Sequence, residues 1–431
     1  MKNRTHLTFK KYKNMKSVII SLFIGITLLF CNQKEKKSTP SDKNQRVLNS
    51  LTTKLDSIQK NGDIVGFSVA IVDQNGVLYK NGFGLSNKET KEKYTENTIQ
   101  HIASVSKTLI GISLMKAKEM GKLNLDDPIE NYLPFTVRNP NYLNDVITIR
   151  HLATHTSGIN DTEQYMQKAW IITNNQNLEN VRTDYQFQKL NSWDKNSPME
   201  DYLKGYLKRG GENYQADNYI NFKPGDRFNY SNIGATLAAL IIEKATGMPF
   251  DIFTTKFILN PLKMNSSGWA LNDVDISKHS RLYRDDTSLL PFYTIITYPD
   301  GMLISSSTDM AKYLNELIKG YKGEGDLLKK ESYEELYKEQ LTESHFQEGD
   351  RNSEHPYDGD YNPAIFIGHS ALGFVGHSGG DAGVATWMYF NKTTLKGMYI
   401  VVNTDLGDRD KELEYYAIWN TLVDYSDRLS N

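Results

Sequence analysis

The chain has 431 residues, 39% of them hydrophobic and 24% charged, an ordinary globular composition with length enough for two lobes around one cleft. A formal net charge of -2 leaves no electrostatic footprint for a nucleic-acid partner. The single cysteine, Cys31, excludes an internal disulfide framework and a thiolate metal cluster.

Lys2, Arg4, Lys10, Lys11, Lys13 and Lys16 precede an apolar run from Val18 to Phe30, and the first acidic residue is Glu35. A basic head before such a run is the pattern of an export signal, and the run is shorter than the ~20 residues of a spanning helix. Met15 opens a compact signal of its own, so translation starts there or at Met1. The run closes on Leu28-Leu29-Phe30-Cys31, which resembles a bacterial lipoprotein signal whose cysteine is lipidated. Phe30 stands where those signals place a small residue, so a plain secretory signal or a short uncleaved anchor are the alternatives. The expectation is a signal over residues 1–31, a polar tether over 32–45, and an exported protein with a lipid anchor, facing the periplasm or cell surface.

Further on, Val47, Leu48, Leu51, Leu55 and Ile58 recur at helical spacing, predicting a helix over 46–60 that stops at Asn61-Gly62. Residues 67–72 and 77–83 read as strands joined at Asp73-Gln74-Asn75-Gly76, a hairpin signal. Helices are predicted from Ser104 to about Met120, from Ile149 to Thr156, and from Asn232 to Thr246, with Gly121, Gly158 and Gly247 as stops. Strands over 384–390 and 397–402 and an amphipathic helix over 411–429 close the chain. This order predicts an α+β fold. The two ends build an antiparallel sheet lobe (about 46–100 and 300–429) flanked by N- and C-terminal helices, and a mainly helical lobe (about 105–295) is inserted between them.

Ser104 and Lys107 form a Ser-x-x-Lys at the start of an apolar helix, which puts both side chains on one face where free helix N–H groups favour developing negative charge. A buried lysine there can take the serine proton. The same spacing recurs at Ser57/Lys60, Ser113/Lys116 and Ser192/Lys195, but the first two serines lie inside helices and the third in a polar loop. Tyr230-Ser231-Asn232 follows a turn at Pro224-Gly225 and precedes a helix, so a loop aims the phenol. Gly376-His377-Ser378-Gly379-Gly380, ahead of an apolar strand, offers small residues along which a substrate can lie.

Gly376-x-Ser378-x-Gly380 also fits the nucleophile elbow of α/β-hydrolases, but that fold needs a histidine after the serine, and the last one here is His377. His151 and His155 are spaced as zinc ligands can be, without the glutamate of the metalloprotease pattern, and read as bonding the loop that follows.

With these residues in view, the chain resembles the class C β-lactamase-like serine hydrolases, which include D-alanyl-D-alanine carboxypeptidases, D-aminopeptidases and esterases. The likeness runs from about 46 to 425 and rests on Ser104-Val105-Ser106-Lys107, Tyr230-Ser231-Asn232 and His377-Ser378-Gly379. Supporting phrases are Leu123-Asn124-Leu125-Asp126-Asp127-Pro128, the run from Ile149 to Gly158, and Gly301-Met302-Leu303-Ile304-Ser305-Ser306. The resemblance implies an acyl-enzyme on Ser104, with Lys107 and Tyr230 sharing proton transfer and Asn232 holding a substrate amide. It also implies an oxyanion hole from the N–H groups of Ser104 and Gly380, and no metal or cofactor. In place of the lysine of many β-lactamases, His377 is expected to offer a weaker, pH-dependent positive charge to a substrate carboxylate. The expected substrate is a small molecule or peptide carrying an amide or ester. A β-lactamase and an acyl-trapping surface module are the alternatives. The aromatic stretch between Gly158 and Tyr230 is either a cap that narrows the cleft or a surface elaboration.

Overall fold

A computed structural model describes residues 40–185, 188–192, 197–285, 287–346, 363–370 and 372–429. The signal, Cys31 and residues 32–39 of the tether lie outside the described residues, as do Phe187 and Trp193 of the aromatic stretch.

The first helix, α1 (Pro40–Asn61), starts earlier than the apolar spacing indicates. Proline's fixed φ suits a first helical turn, so residues 40–45 belong to the helix and not to the tether. Seven antiparallel strands follow: β1 (Gly66–Asp73), β2 (Gly76–Asn87), β3 (Glu92–Lys93), β4 (Gly368–His369), β5 (Phe374–Asp381), β6 (Val384–Asn391) and β7 (Gly397–Val402). They lie in the order β4-β5-β6-β7-β1-β2-β3, so the two ends of the chain meet at the sheet centre, where Phe67 faces Val402. The β1–β2 hairpin closes where Asp73 faces Gly76, whose φ of 136° only glycine adopts without strain.

Period-two alternation then sorts the core. Phe67, Val69 and Ile71 of β1, with Met398, Ile400 and Val402 of β7, form one cluster with Leu51 and Leu55 of α1 and with Tyr415, Ile418 and Trp419. Ala70, Val72, Tyr399 and Val401 belong to the larger cluster shared with the inserted lobe. Both faces are covered, which explains why β1 is buried from end to end.

The remaining helices are α2 (Lys107–Glu119), α3 (Ile149–Ala153), α4 (Glu163–Lys168), α5 (Met199–Leu207), α6 (Asn232–Thr246), α7 (Phe250–Thr254), α8 (Ser307–Tyr321), α9 (Lys330–Tyr337) and α10 (Arg409–Ser426). Helix α6 begins where Ser231 Oγ accepts the Gly234 N–H (2.9 Å) and ends, as expected, at Gly247, which is left-handed (φ 72°). Helix α3 is shorter than expected because the chain turns left-handed at His155 (φ 56°), before Thr156 and Gly158. The inserted lobe is not purely helical: residues 170–172 pair with 293–295, and Leu282–Tyr283 with Leu289–Leu290.

Trp419 is fully buried and meets the rings of Phe374, Trp387 and Tyr389 at 6.3, 5.3 and 6.0 Å. Trp419→Ala is expected to lower the unfolding free energy by about 3–5 kcal/mol in urea titration. A loss under about 1 kcal/mol would show that α10 is not part of the sheet's core.

Candidate active site

Ser104 sits on the single 3₁₀ turn Ala103–Ser106 that feeds α2. Ala103 takes a left-handed backbone (φ 49°), a conformation that costs a non-glycine residue about 1–2 kcal/mol. The turn is held from both sides: the Ile102 N–H donates to Leu303 O (3.0 Å) and the Leu303 N–H donates to Ser106 Oγ (3.2 Å). Ser106 is sealed and engaged, while Ser104 is half-exposed, so only one serine of the motif is reachable.

Lys107 has no exposed surface. Its Nζ donates to Ser104 Oγ (3.0 Å) and to the carbonyl of Asp300 (2.8 Å) and stands 5.1 Å from the centroid of the Tyr230 ring. The Asp300 carboxyl is itself buried, accepting from Thr236 Oγ1 (3.0 Å) and Tyr165 OH (3.3 Å). Burial pushes it up to about 6, against the opposing pull of the Lys107 charge.

Tyr230 stacks on His155 with centroids 4.4 Å apart. His155 Nδ1 accepts the Ser231 N–H (3.1 Å) and its carbonyl accepts the Asn229 N–H (2.7 Å), so the loop after α3 straps the Tyr230 loop in place. His151 caps its own helix, with Nδ1 accepting the Thr148 N–H (3.2 Å). The start of α6 is clamped by Asp161, whose carboxylate accepts from Ser231 Oγ (2.8 Å) and from the N–H groups of Asn232 (2.6 Å) and Ile233 (3.1 Å). Asn232 is thereby fixed at the edge of a cavity of about 80 Å³, lined by Ser104, Asn232, Gly380, Asp381, Trp170 and Met166 among others.

The glycine-rich run expected ahead of a strand is itself strand β5. Its edge beyond β4 runs alongside the Ser104 turn. A Cβ on Gly379 would stand 2.7 Å from Ile102 O and 2.9 Å from Ser104 N, so only glycine lets the strand approach this closely.

Two expectations about this strand are corrected. His377 is 1% exposed, its Nδ1–H donates to Ser378 O (2.5 Å), and burial, with help from the Lys107 charge, pushes it down to about 3. It is a neutral wall with its ring 6.2 Å from that of Tyr230, not a cation for a substrate carboxylate. Ser378 pairs with Trp387, on the face carrying the α1–α10 cluster, while His377 and Gly379 face the inserted lobe. Its hydroxyl is therefore turned away from Ser104, and it contributes a carbonyl.

Ser104, Lys107, Tyr230, Asn232, His377, Gly379 and Gly380 thus converge, and Ser378 contributes through its backbone. Asp161, Asp300, Trp170 and Asp381 join them without any sequence motif having singled them out as functional, although Asp300 directly precedes Gly301-Met302; His155, expected to bond the loop that follows it, instead bonds the Tyr230 loop. The aromatic stretch supplies a wall of the cavity through Met166 and Trp170, which favours its reading as a cap.

An antiparallel sheet covered by terminal helices, with a Ser-x-x-Lys turn packed against strand β5, defines the serine β-lactamase-like fold. The chain matches the Beta-lactamase family over residues 51–422 and belongs to it; members of that family are generally serine hydrolases. It is 27% identical to protein flp of Staphylococcus aureus (strain MRSA252) over 278 residues, which is 62% of this chain and 49% of that protein, so the match spans about half of that relative's length. Among solved structures it is similar to the octameric penicillin-binding protein homologue of Pyrococcus abyssi (TM-score 0.61, 24% identity, 88% of this chain and 76% of that one). It is similar also to the D-amino acid amidase of Ochrobactrum anthropi SV3 (TM-score 0.63, 19% identity, 88% and 99%).

Because the folded-state pKa of His377 lies below its unfolded value near 6.5, the neutral ring's stability is fully present above about pH 6.5 and is lost as pH falls toward 3. His377→Asn is therefore expected to lose about 2 kcal/mol less than the parent between pH 7 and pH 5 in chemical denaturation. Equal losses would mean that the imidazole is not buried neutral.

Proposed function

We propose that the protein is an acyl-serine hydrolase acting on a peptide, amide or ester, with Ser104 as nucleophile. The reading is carried by one observation: a lysine with no exposed surface holds its Nζ 3.0 Å from the oxygen of a reachable serine. In this mechanism Ser104 Oγ attacks the carbonyl while Lys107 and Tyr230 take its proton and pass it to the leaving group. The carbonyl oxygen becomes an oxyanion held by the N–H groups of Ser104 and Gly380, each such donor typically worth about 3–4 kcal/mol of barrier. Asn232 holds the substrate amide, and water then releases the acyl group from Ser104 by the reverse proton route.

A neutral His377 weighs against the β-lactamase alternative, since a β-lactam brings a carboxylate to the wall where many β-lactamases place a lysine. The acyl-trapping alternative differs only in the second half-reaction. We further propose that the mature protein is exported and carries its lipid at Cys31. Labelled palmitate incorporated by the parent and absent from Cys31→Ser is the expected result.

A fluorophosphonate probe is expected to modify the protein at one site, and Ser104→Ala to abolish the modification in intact-mass analysis. Lys107→Ala should slow labelling by about 10²–10⁴-fold. Unlabelled parent protein, or labelling that survives in Ser104→Ala, overturns the assignment.

A further inference from the structure

Two buried carboxyl groups, Asp161 and Asp300, feel the charge of Lys107, and donors of different kinds hold them. Both oxygens of Asp161 accept, from Ser231 Oγ (2.8 Å) and from the N–H groups of Asn232 (2.6 Å) and Ile233 (3.1 Å). Backbone donors do not turn round, so this set fits a carboxylate; burial raises the proton affinity of Asp161, and these donors oppose that. The donors to Asp300 are hydroxyls, Thr236 Oγ1 (3.0 Å) and Tyr165 OH (3.3 Å). Each has a second partner in reach: Thr297 O for Thr236 Oγ1 (3.3 Å), and Thr297 Oγ1 for Tyr165 OH (3.0 Å). A hydroxyl rotates, so it donates to an ionised Asp300, or turns to Thr297 and accepts from a protonated one. Asp300 can therefore gain or lose a proton in place.

The same residue touches the amine of the site. Its carbonyl accepts from Lys107 Nζ (2.8 Å), and its carboxyl is sealed from solvent, the residue being 3% exposed. Burial pushes that carboxyl up to about 6, and the Lys107 charge and the donated hydrogen bonds pull against it. Such coupling is reciprocal: what Lys107 does to the proton affinity of Asp300, Asp300 does to that of Lys107. Asp161, Tyr165 and Tyr202 also face Asp300, while Asp161, Tyr230, His155 and His377 face Lys107. Burial holds the two imidazoles neutral and pushes the phenols of Tyr165 and Tyr202 upward, which leaves Asp300 as the carboxyl built to change charge.

We propose that Asp300 is a positioning residue for acylation, its carboxylate fixing the pH at which Lys107 releases its proton and becomes able to take that of Ser104. This rests on the acyl-serine reading above. With Asp300 ionised, the ammonium form of Lys107 is favoured and the free amine appears at higher pH. With Asp300 neutral, the free amine appears at lower pH.

The test is the rate constant of fluorophosphonate labelling of the full-length protein, followed by intact mass from about pH 5 to pH 10. Asp300→Asn keeps an oxygen that accepts from Thr236 and Tyr165 and removes the charge. Half-maximal labelling should therefore move down by about one pH unit. Thr236→Val removes a donor that favours the ionised form of Asp300, and should move the midpoint the same way by a smaller step. A merely structural role would scale the rate at every pH and leave the midpoint in place.

A midpoint that stays, or moves to higher pH, in Asp300→Asn overturns the proposal; with the parent labelled at Ser104, the hydrolase reading still stands. Should Asp300→Asn fail to fold, the Thr236→Val midpoint decides by the same rule. A parent that is not labelled at Ser104 overturns both readings.

Discussion

An amine with no exposed surface must be compensated by whatever surrounds it, and the architecture of this site follows from how Lys107 is accommodated. Removing an ammonium from water costs several kcal/mol unless its protons find acceptors. Here they find a serine hydroxyl at 3.0 Å and the Asp300 carbonyl at 2.8 Å, beside an aromatic ring whose centroid is 5.1 Å away. These three contacts are to a hydroxyl, a backbone carbonyl and a ring face. The field of two nearby acids, Asp161 and Asp300, acts at longer range, while His155 and His377 are kept neutral by burial. A second cation beside Lys107 would undo this arrangement, which explains a histidine at position 377 that is neutral and closed off from solvent.

Three distant stretches of chain contribute to the site, held by local devices. Ser104 comes on a turn strained at Ala103, the phenol of Tyr230 on a loop strapped to His155, the amide of Asn232 on a helix start clamped by Asp161, and the backbone edge on a strand that needs glycine at 379. The sheet can present that edge because its central strands, β1 and β7, are buried on both faces and do not shift register cheaply.

What was legible in the sequence follows from what is local. The Ser104–Lys107 spacing, the Asn-Gly hairpin and the glycine-stopped helix at 232–246 depend on residues a few positions apart, and the structure shows each of them. The charge state of His377 depends on burial by elements hundreds of residues away, and no local pattern encodes it. The side on which Ser378 falls would have been readable from alternation had the glycine-rich run been taken as strand; low β-propensity hid it. Asp161, Asp300 and Asp381 are single acids with side-chain contacts that reach positions 231–233, 165 and 236, and 170, beyond any window of sequence. Residues 40–45 carry no apolar spacing, so their polar composition reads as tether although they belong to α1.

The account's central claim is that amine and phenol act on the Ser104 proton as one unit. A double-mutant cycle on the single-turnover acylation rate, using the parent, Lys107→Ala, Tyr230→Phe and the double variant, tests it most directly. If the two groups share the proton, the double variant should be no more than about threefold slower than the worse single variant. Losses that simply multiply would mean that they act independently, and would contradict the claim.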